Sequence, residues 1–464
     1  MKASPIAQEP KVFRRAYAAV ALALVVLVLA AREVYLLDLP AWVYQGAVLA
    51  ELAAGRPAGA YALVPYPVPN ALSTVFFALT APLLGPVGAG KAFVALYLAA
   101  ALAVAYALSR AAEPGTAARR AAVLAATLFV SSSFWNGYLN FQVGLVVGAA
   151  FVALWLRRGR PGPLAVLAFT VGLFFTHAIP FAVVALGVGL DALRRRDVRT
   201  LAALVPPAAL TAWYVAGRLG AASDEFREAV IAPEGLLYTL LYKGYTVLKL
   251  GPFQHVVGLD GRGYLEAVPG LYGALLALSA TFVAALAAGV VWGVVWVFRA
   301  GGSRRWAAGY GVGVAVTALL MPAFALNVIN PGERVAACAA LLLVAVVPLP
   351  RRLLTALAVV ALGFLAYDAV YLAAQLGGLP PAERARAYAE RVEAVRAQAE
   401  VEAEHVGAFR DPHAYATEEL YPDTRLKYLN HAVYFHAPLY EAAARGDFSL
   451  PSFDSGLLTE RLAP

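Results

Sequence analysis

Long apolar runs alternate with short arginine-rich clusters through residues 1–375. Many of these runs approach the ~20 residues that a helix needs to cross a hydrocarbon core of about 30 Å. The pattern predicts an all-α fold, a polytopic membrane helix bundle with about 11 spans. The predicted spans lie near residues 16–31, 91–109, 121–135, 138–156, 164–176, 178–190, 201–217, 271–298, 306–326, 334–349 and 353–374.

The basic clusters set the expected orientation. Lysine and arginine flanking a span favour the cytoplasmic side, so Lys11, Arg14 and Arg15 place the N-terminus there. The later clusters fall on the same side only if residues 70–84 do not cross, so we predict an interfacial or re-entrant helix there. The chain is then a multi-pass cell-membrane protein with an extracytoplasmic C-terminus. The later clusters are Arg119-Arg120, Arg157-Arg158-Arg160, Arg194-Arg195-Arg196, Arg299 with Arg304-Arg305, and Arg351-Arg352.

Two domains are expected. Residues 1–375 form the membrane domain, with long outer loops at 32–69 and 218–270, and residues 376–464 form an extracytoplasmic C-terminal region. Within that region, 381–404 has the mixed charge of a solvated helix. The whole region fits either a packed cap over the membrane domain or an acceptor-binding surface.

Two shorter segments have more than one interpretation. Residues Pro233–Gly251 mix apolar positions with Lys243 and Lys249, which suits a helix on the membrane surface or a packed loop helix. The two legs of 164–190 reach only about 20 Å each at ~1.5 Å per residue. Their tip at His177 therefore ends inside the membrane and lines a cavity, or the legs are longer than the apolar run indicates.

The amino-acid composition argues against several classes of function. The chain is 61% hydrophobic and 14% charged, against about 25% charged residues in soluble domains. The net charge of +8 arises from the span-flanking arginines, so it does not predict a nucleic-acid partner. The sequence has no P-loop. With Cys338 as its single cysteine and no His-Glu-x-x-His motif, it gives no basis for a zinc site. No span carries the acidic ladder typical of ion transport.

Two acids follow the first span. Glu33 and Asp38 are expected at the outer interface, where a carboxylate contacts both lipid and water. Because five residues separate them, a helix would point them about 140° apart, so they should not share one site. Asp38 is a candidate general base for an alcohol or amine. Interfacial solvation is the structural alternative for both acids.

The entry to the next helix carries further candidates. The prolines of Tyr66-Pro67-Val68-Pro69-Asn70 exclude a helix there and predict Asn70 as the following N-cap. A rigid connector or a ligand contact both fit this segment. An interfacial aromatic belt explains the aromatics of residues 134–141 but accounts less well for Asn140, so we expect Asn140 to line a cavity together with Glu33, Tyr66 and Asn70.

A late arginine is the candidate phosphate contact. Arg334 begins a strongly apolar helix at the predicted outer end, where a guanidinium can bind a lipid-linked phosphate through two parallel hydrogen bonds. An ion pair with Glu333, or contact with lipid head groups, would equally explain its position.

The order of these features resembles the GT-C glycosyltransferases, membrane enzymes that use polyprenyl-phosphate sugars. The shared features are an acid after the first span (Asp38), a proline-rich end to the first outer loop, the segment Gly137–Phe141, and a late arginine (Arg334). The likeness covers most of residues 12–374. Many members carry two adjacent acids in the first loop, whereas this chain has Leu37-Asp38-Leu39, so the likeness gives no support for a divalent metal.

The resemblance implies transfer of a sugar from a polyprenyl-phosphate carrier to a glycan, lipid or protein acceptor outside the cytoplasm. Asp38 would be the catalytic base, and Arg334 with Lys243 or Lys249 would bind the donor phosphate. No cofactor is expected beyond the lipid-linked donor itself. The alternatives are a non-catalytic subunit of a membrane complex that keeps this fold, and a lipid or solute transporter.

Overall fold

The computed structural model shows a bundle of long helices with small pieces of sheet at one end. Among the described residues, six helices are long and apolar enough to cross a membrane. The protein is therefore built as an α-helical membrane protein, as predicted. The structure describes residues 9–32, 34, 36, 38–221, 230–231, 236–253, 271–302, 304–322, 324–325, 328–329, 331–374, 437–449 and 457–460.

Helices occupy most of each apolar run predicted as a span, although the helix in the run 306–326 ends at Leu320 and Phe324–Ala325 forms a strand. The predicted run 201–217 is divided between two helices, and a π turn at Ala125–Phe129 interrupts the run 121–135. The helices are α1 Lys11–Ala30, α2 Leu39–Ala53, α3 Leu72–Ala112, α4 Ala117–Leu124, α5 Ser132–Trp135, α6 Leu139–Arg158, α7 Pro163–Thr176, α8 Ala178–Arg195, α9 Val198–Ala203, α10 Val205–Ala221, α11 Leu236–Leu248, α12 Leu271–Ala300, α13 Arg304–Leu320, α14 Pro331–Val346, α15 Arg351–Ala374 and α16 Ala437–Arg445.

The short strands form two small sheets. The C-terminal strand pairs antiparallel with the first one, joining Tyr61 to Glu460. The remaining three strands pair in chain order as antiparallel neighbours. The strands are β1 Tyr61–Leu63, β2 Val230–Ile231, β3 Phe324–Ala325, β4 Val328–Ile329 and β5 Leu458–Glu460.

Helix α3 folds back on itself at Gly85. Gly85 has φ +71° and ψ 161° inside a helix that is otherwise regular, a conformation that glycine adopts at little steric cost. The Phe77 and Phe93 ring centroids lie 5.1 Å apart, although 16 helical residues would span about 24 Å in a straight helix. The Leu72–Leu84 arm therefore turns away from the long arm that follows it.

The described part of the C-terminal region packs on the first loop. Helix α16 lies against α2, and Leu439 and Ala442 join Tyr44 and Tyr61 in a small apolar cluster that also contains Leu458 of β5. This contact puts α16 and β5 at the same end of the bundle as α2. The expected charged helix at 381–404 lies outside the described residues.

Arginine side chains hold the opposite end together. Arg120 is almost fully buried and donates hydrogen bonds to the carbonyls of Val344 and Val347 at the end of α14. Arg304 donates to the carbonyls of Ala112 and Val346 at 3.0 and 3.3 Å. Carbonyls in the last turn of a helix lack partners within it, so these guanidinium groups terminate α3 and α14.

The chain near the N-terminus joins the same end. The Glu9 carboxylate accepts the backbone N–H groups of Ala118 and Arg119 at 2.8 and 3.0 Å, at the start of α4. Arg119 also donates to the Thr355 hydroxyl near the start of α15. We call this the arginine end, and the end that carries α2 and α16 the loop end.

Close packing between α2 and α3 depends on a glycine. A Cβ on Gly46 would lie 2.3 Å from Cβ of Phe77 and 2.9 Å from its carbonyl carbon, whereas a Cβ on Gly148 of α6 would meet Val184 at an ordinary 3.7 Å. Phe77 is fully buried. The Leu72–Leu84 arm therefore approaches α2 more closely than any side chain at position 46 allows.

The two glycines give a matched pair of substitutions. We expect Gly46→Ala to destabilise the protein by about 1–3 kcal/mol through overpacking, while Gly148→Ala should be neutral or stabilising by up to about 1 kcal/mol, since alanine is the better helix former. Thermal unfolding in detergent, followed by tryptophan fluorescence, measures both. Equal midpoints for the two variants would contradict the close α2–α3 contact.

Candidate functional site

Asp38 is fixed at the loop end by a glycine turn. It occupies the N-cap position of α2, and its backbone N–H donates to the Asn136 carbonyl at 3.2 Å. The Trp42 indole donates to the Gly137 carbonyl at 3.1 Å. Gly137 has φ +77°, and a Cβ there would lie 2.6 Å from the Asp38 nitrogen. The turn thus holds the start of α2 where only glycine fits.

The next residue places an aromatic ring under the candidate phosphate contact. The guanidinium carbon of Arg334 lies 4.4 Å from the centroid of the Tyr138 ring. Arg334 stands in the first turn of α14, and Tyr138 directly precedes α6. A cation over an aromatic face is attracted by the electron density of the ring, so Tyr138 orients Arg334.

A buried ion pair stands beside them. Lys249 Nζ lies 3.0 Å from Glu333 Oε2, and both side chains are at most one-tenth exposed. The Ser133 hydroxyl donates to the other Glu333 oxygen at 3.2 Å, and the Ser132 hydroxyl donates to the Lys249 carbonyl at 3.4 Å. This network joins the end of α11, the start of α14 and helix α5.

The charges around Tyr138 and Lys249 shift the pKa values of these two groups. Desolvation raises the pKa of the Tyr138 hydroxyl to about 12; Lys249 and Arg334 oppose this rise, while Glu333 and Asp38 add to it. Burial alone would lower the pKa of Lys249, but the negative charge of Glu333, with smaller contributions from Tyr138 and Tyr245, raises it overall. We call Asp38, Tyr138, Lys249, Glu333 and Arg334 the Tyr138 cluster.

Two predicted phosphate contacts already have protein partners. Lys249 forms its ion pair with Glu333, and Lys243 donates to the carbonyl of Met321, just beyond α13. Six residues separate the two lysines, which turns them about 120° apart on a helix. The two lysines are therefore engaged by different protein groups and do not face one common site.

The prediction of Asn70 as an N-cap is wrong. Ala71 occupies that position, and Asn70 has φ +75°, a left-handed conformation that asparagine tolerates better than most residues. The cap comes instead from Asn140, whose side-chain oxygen accepts the Ser73 N–H at 2.8 Å and whose amide donates to the Asn70 carbonyl at 2.5 Å. Asn140 is thus a structural clamp between the first loop and α6.

The other predicted cavity residues have packing partners. His177 is the N-cap of α8, with Nδ1 accepting the Ile179 N–H at 3.1 Å, and its ring packs edge-on against Phe141 at 5.3 Å. The Tyr66 ring contacts Tyr214 at 6.2 Å and covers Gly217 of α10. Glu33 lies outside the described residues.

Glu333 and Tyr138 were not selected as site residues from the sequence. The sequence indicates Glu333 only as an ion-pair partner for Arg334, and Tyr138 only as part of the Gly137–Phe141 segment. The sequence signal for a buried ion pair here is the acid Glu333 next to Arg334 at the start of an apolar helix. A charge buried at the start of that helix needs a partner. The partner itself, Lys249, is 84 residues away in sequence.

No group of three or more His, Cys, Asp or Glu side chains suited to a metal ion occurs among the described residues. Comparisons with protein-family models, with curated proteins and with solved structures find no match to this chain.

The ion pair can be tested by a double-mutant cycle. Removing one partner leaves a buried charge uncompensated, so Lys249→Met or Glu333→Gln should each destabilise the protein by roughly 3–5 kcal/mol. The double variant should be more stable than either single variant, because no charge is then stranded. Thermal unfolding in detergent measures all three, and strictly additive losses would contradict the pairing.

Proposed function

We propose that the chain is a GT-C-type glycosyltransferase that moves a sugar from a polyprenyl-phosphate carrier to an acceptor on the extracytoplasmic side. The observation that supports this proposal best is the Tyr138 cluster itself. In it Asp38, a half-buried acid, stands beside Gly137, the residue before Tyr138, and Arg334 stacks on the Tyr138 ring. Catalytic base and phosphate contact are the two groups that this transfer needs.

The two ends of the bundle support the orientation. The arginine end carries most of the basic clusters that the positive-inside rule assigns to the cytoplasm, and the Tyr138 cluster lies at the other end, where α6 and α14 begin. In this proposal the helices cross the membrane about 11 times, the N-terminus is cytoplasmic, and α2, α16 and the C-terminus are outside. Asp38 then faces the compartment where lipid-linked sugars are consumed.

The proposed transfer proceeds as one displacement. Asp38 accepts the proton of the acceptor hydroxyl as that oxygen forms its bond to the anomeric carbon of the sugar. The bond between that carbon and the phosphate oxygen breaks, and its electron pair leaves with polyprenyl phosphate. Arg334 stabilises the charge that develops on the phosphate, since donors already oriented toward a developing charge lower the barrier.

The ion pair has a supporting role in this reaction. Glu333 and Lys249 neutralise each other, so the pair adds no net charge beside the phosphate. Because Glu333 directly precedes Arg334, its bonds to Lys249 and Ser133 fix the first turn of α14. The pair therefore positions Arg334 rather than binding the donor.

Orientation can be tested by cysteine labelling. In a Cys338→Ala background, Ala54→Cys at the loop end should react with an impermeant maleimide in intact cells, and Ala300→Cys at the arginine end should react only after lysis. Both positions are exposed. Labelling of position 300 in intact cells would overturn the proposed orientation.

Catalysis by Asp38 can be tested by one isosteric change. Asp38→Asn removes the base and should lower the transfer rate about 10²-fold or more, with little change in the thermal midpoint because the side chain is only half-buried. Glu51→Gln, on the same helix but in an exposed pair with Arg56, is the matched control and should keep wild-type transfer. The readout is transfer from the cognate donor, or the glycan made in cells. Wild-type output from Asp38→Asn would favour the non-catalytic subunit or the transporter instead.

The phosphate contact has a separate test. Arg334→Lys keeps the positive charge but loses the planar, two-pronged donor geometry, so we expect weaker donor binding and slower transfer in a protein that remains folded. Binding of polyprenyl phosphate to the purified protein measures the first effect. Normal binding and turnover in Arg334→Lys would show that Arg334 has a structural role.

A further inference from the structure

Helix α11 has its polarity reversed relative to a helix in water. Its most exposed side chains are leucines: Leu236, Leu237, Leu240 and Leu241 are 60–75% exposed, and Leu248 is 48% exposed. On the opposite face, Thr246 is fully buried and Tyr242 is half-buried. Water-soluble proteins place the apolar face of a surface helix inward, so the medium around the leucine face is apolar.

Two contacts fix how α11 lies on the bundle. Lys243 donates to the carbonyl of Met321, just beyond α13, and Lys249 pairs with Glu333 in the first turn of α14. These lysines are about 9 Å apart along a helix, yet both partners stand at the loop end. Two partners at one end of the bundle agree with a helix that runs across that end.

The length of α11 agrees with this placement. Its 13 residues extend about 20 Å, short of the ~30 Å hydrocarbon core. The exposed apolar surface continues onto Leu276 and Leu278 near the start of α12, which packs against α11 and is one of the six candidate spans. It also continues onto Leu320 at the end of α13.

We propose that α11 lies in the plane of the membrane at the loop end, with its leucine face in the lipid hydrocarbon. The occupant of this face is the bilayer itself. Lys243 stands at the edge of the leucine face, three residues after Leu240, and its ammonium is turned to the Met321 carbonyl, while Lys249 pairs with Glu333. An apolar face flanked by lysines whose charged ends turn away from it suits an interfacial helix. The inference does not depend on the transfer reaction.

The placement has a consequence for the Tyr138 cluster. Because Lys249 follows the last turn of α11 and pairs with Glu333, an in-plane α11 holds Glu333 and Arg334 at the depth of the lipid head groups. A phosphate carried on a lipid would then reach Arg334 by lateral diffusion. The helix forms the lipid side of the cluster.

Nitroxide labels can measure this arrangement directly. In a Cys338→Ala background, Leu237→Cys, Leu241→Cys and Leu248→Cys are labelled one at a time in the full-length protein in liposomes. Collision rates with oxygen, which partitions into lipid, and with a water-soluble nickel chelate give the environment and the depth. Leu22→Cys, exposed on α1, is the lipid control, and Ala54→Cys, exposed at the end of α2, is the water control.

The expected result is oxygen-rich, nickel-poor collision at all three α11 sites, with similar depths at 237 and 248. A helix along the membrane normal would separate those two sites by about 16 Å in depth. Nickel collision like that of Ala54→Cys would overturn the proposal, and so would protection from both reagents, which would show protein covering the face. A steady depth gradient along α11 would also overturn it. Variants whose thermal midpoint falls are replaced by Leu236→Cys or Leu240→Cys, which share the face.

Discussion

The Lys249–Glu333 ion pair is the interaction on which the loop end of the molecule depends. Both side chains are nearly buried, and stranding either charge would cost several kcal/mol. The pair ties α11 to the first turn of α14, and the bond from Ser133 to Glu333 adds α5. The position of Arg334 depends on this arrangement, because Arg334 directly follows Glu333 and stands over the Tyr138 ring.

At the arginine end, buried backbone carbonyls rather than side-chain charges need partners. The last turns of α3 and α14 present carbonyls that have no partner within their helices, and Arg120 and Arg304 satisfy several of them. Lipid offers no hydrogen bonds to a helix end, so protein donors are needed wherever such an end is buried. Helix α14 is consequently fixed at both termini: by two arginines at one end and by the Glu333 network at the other.

The sequence predicts the helices well, since apolar runs of sufficient length leave little choice. Its two leading site candidates, Asp38 and Arg334, both lie beside the Gly137-Tyr138 turn although 296 positions separate 38 from 334, and their roles stay predictions. Local reasoning fails where a partner is distant: Asn140, not Asn70, caps α3, and the charge of Lys249 is matched by Glu333. The function of Gly137 likewise depends on the approach of Asp38, which no local pattern specifies.

The central claim is that the Tyr138 cluster binds the phosphate of a lipid-linked sugar. A structure of the protein in lipid nanodiscs with excess polyprenyl phosphate tests it most directly. The account predicts phosphate density within hydrogen-bonding distance of Arg334, with the lipid chain leaving toward α11 and Asp38 facing the position of the sugar. Phosphate bound at the arginine end, or an empty Tyr138 cluster at saturating lipid, would contradict it.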